Sequence, residues 1–189
     1  MESEDKILSE SKFIKLLHFK KNKGKGAAIR FGLKESINPM IVIYDGDLEL
    51  NPLEIQKLMI LNNNIKCVFG NRYYMIRNTH LIWDIGNKIF TKIFNLIYRS
   101  SLKDVLCCAK AFFKSDLNIE RLIAKKFDID IEIASHLIKK HNNVSNIDIN
   151  YNRRSRNDGK KLKFIDGFLI LYRMIKSYWT ILYKKVLVT

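Results

Sequence analysis

A chain of 189 residues is long enough to bury one core and short for two, and its 47% hydrophobic content excludes a disordered or low-complexity polymer. Its 34 Lys and Arg against 19 Asp and Glu give a formal charge of +15, a field that gathers nucleotides, phosphorylated lipids, nucleic acid or anionic membrane. Cys67, Cys107 and Cys108 form no CxxC pair, the acidic first residues lack the features of a leader, and no stretch holds the about 18 nearly uncharged apolar residues of a membrane span, so a reducing, cytosolic setting is expected.

Past a polar, helical start, residues 13–19 alternate imperfectly and fit a short strand or a helix end equally. Met40-Ile41-Val42-Ile43-Tyr44 is apolar and β-branched and closes on Asp45-Gly46-Asp47, the pattern of a buried parallel strand running into a loop. Asn51 and Pro52 suit the cap and first position of a helix whose inward face is Leu53, Ile55, Leu58 and Met59, ending by Asn62-Asn63-Asn64. Residues 66–70 read as the next strand and residues 83–98 as a strongly amphipathic helix. Residues 115–126 and 130–141 read as two shorter helices, and residues 147–151 alternate with period two as an edge strand does. From Asp166 a last helix runs nearly to Thr189, with Arg173, Lys176 and Lys184 on one side and Leu171, Ile175, Tyr178, Trp179, Leu182 and Val186 on the other. Strands alternating with helices predict an α/β sheet. Residues 1–165 are expected as one domain and residues 166–189 as an amphipathic helix, whose aromatics and lysines suit the headgroup layer of a membrane or burial against a partner.

Asp45 and Asp47, one residue apart at the carboxyl end of a buried strand, can turn towards the crevice where α/β sheets bind ligands. A hard cation such as Mg²⁺ or Mn²⁺ takes one or two carboxylates together with phosphate oxygens and water. Standing alone, Asp-Gly-Asp is more often an ordinary turn. Upstream, Asn22-Lys23-Gly24-Lys25-Gly26-Ala27-Ala28 offers two glycines for close backbone approach, and the helix start that follows favours an anion. The spacing is neither a Walker loop nor the dinucleotide GxGxxG, which excludes the nucleotide-hydrolase and dehydrogenase readings.

Further blocks follow in order: Gly70-Asn71-Arg72; Asn87-Lys88 with Asn95; Asp104, Cys108, Lys110 and Phe112; Phe127 with Asp130 and Glu132; then Tyr151, Arg154, Gly159, Lys160, Lys161, Asp166 and Gly167. From Asn22 to Gly167 their order and spacing resemble family-2 glycosyltransferases, in particular the polyprenyl-phosphate branch typified by dolichyl-phosphate mannosyl- and glucosyltransferases. That branch carries N-x-GKG-x-A, DADLE, GSR, NK...N, D...C-x-K-x-F, F-x-x-E-x-E and Y-x-x-R...GKK...DG. Here Gly46 replaces the Ala of DADLE and Asp130 the first Glu of F-x-x-E-x-E. The resemblance implies the GT-A fold, a Rossmann-like α/β sheet flanked by helices. The family's P-x-x-N-E and D-D-G-S segments are missing, so the chain is expected to be truncated at its amino terminus by at least one strand-helix-strand unit, about 30 residues or more.

The resemblance further implies metal-dependent, inverting transfer of a sugar from a nucleotide-sugar donor to a polyprenyl (dolichyl-type) phosphate or related acceptor. Asp45 and Asp47 would hold Mg²⁺ or Mn²⁺, and Glu49 would adjust that ion's surroundings, meet the acceptor phosphate or simply face water. Gly24, Lys25, Gly26, Lys160 and Lys161 would bind substrate, while the forked donors of Arg72 and Arg154 would clamp phosphate. Asp130 completes the catalytic set and mainly orients other groups, because an ionised phosphate acceptor needs no general base. Asp104 and Lys110 read as a structural pair. The expected setting is peripheral, on an anionic membrane surface at the cytosolic face. Nucleic acid is not expected as a partner, since the aromatics fall on helical stripes rather than among basic residues on an exposed sheet. The alternative is a non-catalytic truncated homologue serving as a membrane-associated scaffold.

Overall fold

The computed structural model describes residues 13–73, 82–141, 143–152 and 164–186. Among these residues four short strands, β1 (Met40–Ile43), β2 (Cys67–Asn71), β3 (Lys110–Phe113) and β4 (Ser145–Asp148), form one mixed sheet in the order β1-β3-β2-β4. β3 is antiparallel to both neighbours, with Ile43 opposite Lys110 on β1 and Phe69 opposite Lys110 on β2. β4 runs parallel to β2, pairing Val68 with Ser145 and Asn71 with Asp148.

Strand alternation sorts side chains onto two faces. Ile41, Ile43, Cys67, Phe69 and Phe112 point to a core shared with helices α1 (Lys25–Glu35), α3 (Ile82–Tyr98), α4 (Ile129–Lys140) and α5 (Phe164–Val186). Val42, Tyr44, Val68 and Ala111 point the other way, onto Leu50, Leu58 and Ile149. Burying Phe69 and Phe112 completely contributes about 1.5–3 kcal/mol each before the entropy of ordering them is subtracted.

Several expectations need correction. β1 is antiparallel to its neighbour rather than parallel; a short apolar run reports burial on both faces and carries no information about direction. Residues 110–113 are an inner strand of the sheet, hidden in sequence by the lysine that opens Lys-Ala-Phe-Phe. Residues 13–19 form no strand or helix beyond a turn at Phe13. Asn51 does cap, its Oδ1 accepting the Leu53 amide at 3.0 Å, but the helix is a 3₁₀ turn (Pro52–Glu54) followed by a single turn, α2 (Ile55–Leu58). Of its expected inward face, Leu58 is buried while Leu53 and Met59 are exposed.

Residues 115–126 are not a helix but two 3₁₀ turns, Lys114–Asp116 and Ile119–Arg121, with extended chain after them. The cause lies on α4, where the Glu132 carboxylate accepts the amides of Ile123 at 3.0 Å and Ala124 at 2.8 Å, amides that a helix would have spent internally. β4 lies at 145–148 rather than 147–151, and Tyr151 instead makes an isolated bridge to Leu50.

The last helix also turns differently. α5 packs on α4 through Ile170, Arg173, Met174 and Ser177, so Arg173 is buried rather than solvated. Its guanidinium meets Asp128 at 2.7 Å and Glu132 at 3.2 Å. Ile175 and Trp179, from the apolar side of the helix, are exposed together with Phe168 and Tyr172, at the spacing of one helical stripe. No helix among the described residues is long and apolar enough to cross a membrane.

Candidate active site

The acidic turn follows directly from β1. Hydrogen bonding within Asp45-Gly46-Asp47-Leu48-Glu49 is local, with Asp47 Oδ1 accepting the Glu49 amide at 3.2 Å. Leu48 adopts the left-handed backbone region at φ 64°, an unusual state for a branched residue of the kind that gathers at ligand sites. Glu49 is tied from the other side, its carbonyl accepting the Asn152 amide at 2.7 Å and its carboxylate the Tyr151 hydroxyl at 3.2 Å. A cavity of about 530 Å³ opens beside this turn, lined by Leu48, Asn51, Pro52, Asn150, Tyr151 and Asn152. Leu48 is the turn's contribution to that lining, and Asp45, Asp47 and Glu49 are half-buried rather than sealed in the interior.

Two chains of charged and aromatic groups converge on it. In the first, Lys25 Nζ stands 2.9 Å from Asp45 and 3.0 Å from Asp130, and Asp130 is also held by Lys110 Nζ at 2.8 Å. Lys110 is completely buried and also donates to the Cys107 carbonyl. Burial opposes the charge on Lys25, but Asp130 and then Asp45 outweigh it and raise its pKa above the ordinary value. Burial likewise pushes the Asp130 carboxyl up, and Lys110 and then Lys25 bring it below its usual range. Asp130 is therefore an ionised carboxylate with two ammonium partners, placed to position Lys25 and through it Asp45.

The second chain begins at Arg72, the residue after β2. Its Nε and Nη2 fork onto Asp104 at 2.7 and 3.0 Å, and its guanidinium lies over the rings of Tyr73 and Tyr151 at 5.7 and 5.6 Å. Tyr151 then reaches Glu49. The expected Asp104–Lys110 pair is replaced by Arg72–Asp104 and Lys110–Asp130. The fork expected to clamp phosphate is spent on Asp104, which holds Arg72 at the strand end. Burial lowers the Arg72 pKa, and Asp104 more than restores it, keeping the guanidinium charged.

The glycines have a different reason from the one expected. Gly24 caps α1 at φ 89°, and a Cβ there would come within 2.3 Å of the Lys125 carbonyl oxygen; at Gly26 it would come within 2.2 Å of the Ala124 oxygen. Both therefore let residues 124–126 lie against α1, where the Gly26 amide donates to Lys125 O at 3.0 Å and Arg30 to Ala124 O. That same segment is held from behind by Glu132. The packing brings Lys25 onto Asp45 and Asp130.

Of the expected site residues, Gly24, Lys25, Gly26, Asp45, Asp47, Glu49, Arg72 and Asp130 stand around or directly behind the acidic turn. Arg154, Lys160 and Lys161 lie outside the described residues. Tyr151 and Lys110 belong to the site as its linking groups, roles that pairing across the chain reveals and spacing does not. Among the described residues no cluster of three or more His, Cys, Asp or Glu could hold a metal ion. The turn's carboxylates are hard oxygen donors, which fit Mg²⁺ or Mn²⁺ where phosphate oxygens and water supply the remaining positions.

Comparison with known proteins bears on the family and the fold. Residues 2–119 match the model of glycosyl transferase family 2. Glycosyltransferase AglJ of Haloferax volcanii is 26% identical over 162 residues, covering 82% of this chain and 54% of the relative. Glucosyl-3-phosphoglycerate synthase from Mycobacterium tuberculosis, solved with Mn²⁺, uridine diphosphate and phosphoglyceric acid, superposes with a TM-score of 0.59 at 12% identity, over 82% of this chain and 54% of that one. Mannosyl-3-phosphoglycerate synthase from Rubrobacter xylanophilus superposes with a TM-score of 0.58 at 10% identity, over 88% and 53%. These likenesses show the GT-A architecture of a mixed sheet flanked by helices, and the chain spans about half the length of the relatives it matches. Matched by the family model over more than half of its length, the chain belongs to glycosyl transferase family 2.

Proposed function

We propose that this protein transfers a sugar, with inversion, from a nucleotide-sugar donor to a polyprenyl (dolichyl-type) phosphate or related phosphate acceptor. The observation that carries the reading is the half-buried Asp45/Asp47 turn at the end of β1, with Lys25 bridging Asp45 and Asp130 at 2.9 and 3.0 Å. Asp45 and Asp47 are the residues that would hold Mg²⁺ or Mn²⁺, which when bound supplies charge neutralisation to a diphosphate leaving group. Structural neighbours solved with Mn²⁺ and uridine diphosphate support this donor chemistry.

Lys25 brings a second positive charge to the same place, and the Tyr151 hydroxyl holds the Glu49 carboxylate at the far end of the turn. Asp130 favours an acceptor that arrives ionised. Two ammonium groups hold it in the carboxylate form and below its normal basicity, which suits a positioning residue and makes it a weak proton acceptor. A phosphate oxygen carries its own negative charge at neutral pH and attacks the anomeric carbon without losing a proton to the protein. The stripe of Phe168, Tyr172, Ile175 and Trp179 on α5 is the face that would rest on an anionic, cytosolic membrane surface and bring a lipid acceptor within reach.

Retention of uridine diphosphate on the immobilised chain, with and without Mn²⁺, tests the donor half. Asp45→Asn with Asp47→Asn is expected to abolish Mn²⁺-dependent retention while the chain stays folded by circular dichroism, and undiminished retention would overturn the assignment. Supplying dolichyl phosphate or dolichol tests the acceptor half: sugar is expected on the phosphate alone, and transfer to the alcohol would refute it.

A further inference from the structure

A second cavity, of about 650 Å³, lies between α4, α5 and the 3₁₀ turns of residues 114–121, and it shares no lining residue with the acidic turn or the cleft beside it. We propose that it binds a soluble phosphate-bearing small molecule. Its lining carries five cationic side chains, those of Arg121, Lys139, Lys140, Arg173 and Lys176, against the two carboxylates of Asp116 and Glu132.

Those carboxylates are already met. Asp116 pairs with Lys140 and His141, each at 2.8 Å, and Glu132 accepts Arg173 at 3.2 Å together with two backbone amides. Among the described residues, Arg121, Lys139 and Lys176 have no carboxylate at ion-pair distance. The ammonium groups of Lys139 and Lys176 rest on the rings of Tyr178 and Tyr172 at 4.9 and 5.5 Å, which holds them in place without neutralising them.

A chain of charge +15 shows basic residues on most faces, and on a convex face they are simply hydrated. Here they line a concavity together with Ser115, Thr180 and the buried Arg173. Charged donors contributed to one cavity by a loop and two helices suit a phosphate, whose three oxygens accept from several directions at once. The volume falls within the ~300–1,000 Å³ of small-molecule sites and leaves room for an organic body beyond the phosphate. A lipid headgroup carries the same phosphate chemistry, so the test separates the two sources.

The full chain, kept in EDTA so that no metal-bound diphosphate forms at Asp45 and Asp47, is titrated with inorganic pyrophosphate. Lysine acetylation is then mapped by mass spectrometry and binding is measured by calorimetry. Pyrophosphate is expected to protect Lys139 and Lys176 saturably while Lys15 and Lys34 acetylate as before. Arg121→Ala with Lys176→Ala should weaken binding about tenfold or more, through the loss of two charged donors. Asp45→Asn with Asp47→Asn should leave it unchanged, which separates failure here from failure at the acidic turn. Absence of protection, full binding by the Arg121/Lys176 variant, or protection by phosphatidylglycerol vesicles and not by pyrophosphate would each overturn the proposal.

Discussion

Replacing Asp130 by Asn exposes the logic of the buried charges. Asp130 is 3% exposed and Lys110 completely buried, 2.8 Å apart, while Lys25 approaches the other carboxylate oxygen at 3.0 Å. The amide keeps the size of the side chain and removes the charge, so Lys110 is left as a buried ammonium with no carboxylate partner. Breaking a buried pair from one side costs about 3–5 kcal/mol, which for a chain of this length corresponds to roughly 6–20 °C in melting temperature. Urea unfolding at pH 7 measures it. Since the folded carboxyl titrates below its ordinary value, its contribution is complete above the unfolded pKa of about 3.9 and disappears as pH falls through the lower folded value. The gap between wild type and Asp130→Asn should therefore narrow below about pH 4. Lys110→Met with Asp130→Leu, which removes both charges, should recover most of the loss. A gap under about 1 kcal/mol, or one that persists unchanged into acid, would refute the account of Asp130 as a locked carboxylate.

The glycines of α1 give a contrast within one helix. Gly26→Ala drives a Cβ to within 2.2 Å of the Ala124 oxygen and should cost about 1–3 kcal/mol, whereas Gly32→Ala meets nothing within 4 Å and should gain about 0.4–1 kcal/mol in the same denaturation assay. Arg173→Met strands the buried carboxylates of Asp128 and Glu132 and should cost about 3–5 kcal/mol; hydrogen exchange should show the amides of Ile123 and Ala124 opening with it, because Glu132 holds them.

Elements whose cause is local periodicity were legible in the sequence. The apolar spacing from residue 85 to residue 98 gives helix α3 almost to the residue, and Asn51-Pro52 gives its cap even though the helix behind it is short. What escaped is pairing between residues far apart in the chain. Lys110 with Asp130, Arg72 with Asp104 and Arg173 with Asp128 are separated by 20, 32 and 45 residues, and a charged residue inside a core looks in sequence like one at the surface. The acidic turn was legible because its residues are adjacent. Gly24 and Gly26 were legible as a place of close approach, but the approaching group is the backbone of residues 124–126, which no spacing within the motif encodes. The loss of the helix expected over residues 115–126 has the same origin, in a glutamate on α4 that competes for the amides of that segment.

Lys25 is the residue in which these arguments meet, and its removal separates two roles by sign. Its ammonium stands 2.9 Å from Asp45, so a divalent cation sharing that carboxylate would feel its repulsion. Two charges against one at about 5 Å are worth several kcal/mol at an effective dielectric constant near 20. The side chain of Asp45 is 36% exposed, and solvent screening reduces the effect to about one factor of ten in affinity. Lys25→Met should therefore tighten Mn²⁺ binding in the absence of nucleotide. The same substitution removes a positive charge that a diphosphate would meet, so retention of uridine diphosphate in saturating Mn²⁺ should fall. Lys25→Arg, which keeps the charge, should shift neither strongly. Calorimetry with Mn²⁺ alone and retention with both ligands read the two signs independently. If both weaken together in Lys25→Met, Lys25 serves only to hold Asp45 in place; opposite movements require a cation that shares the carboxylate and a phosphate that shares the ammonium.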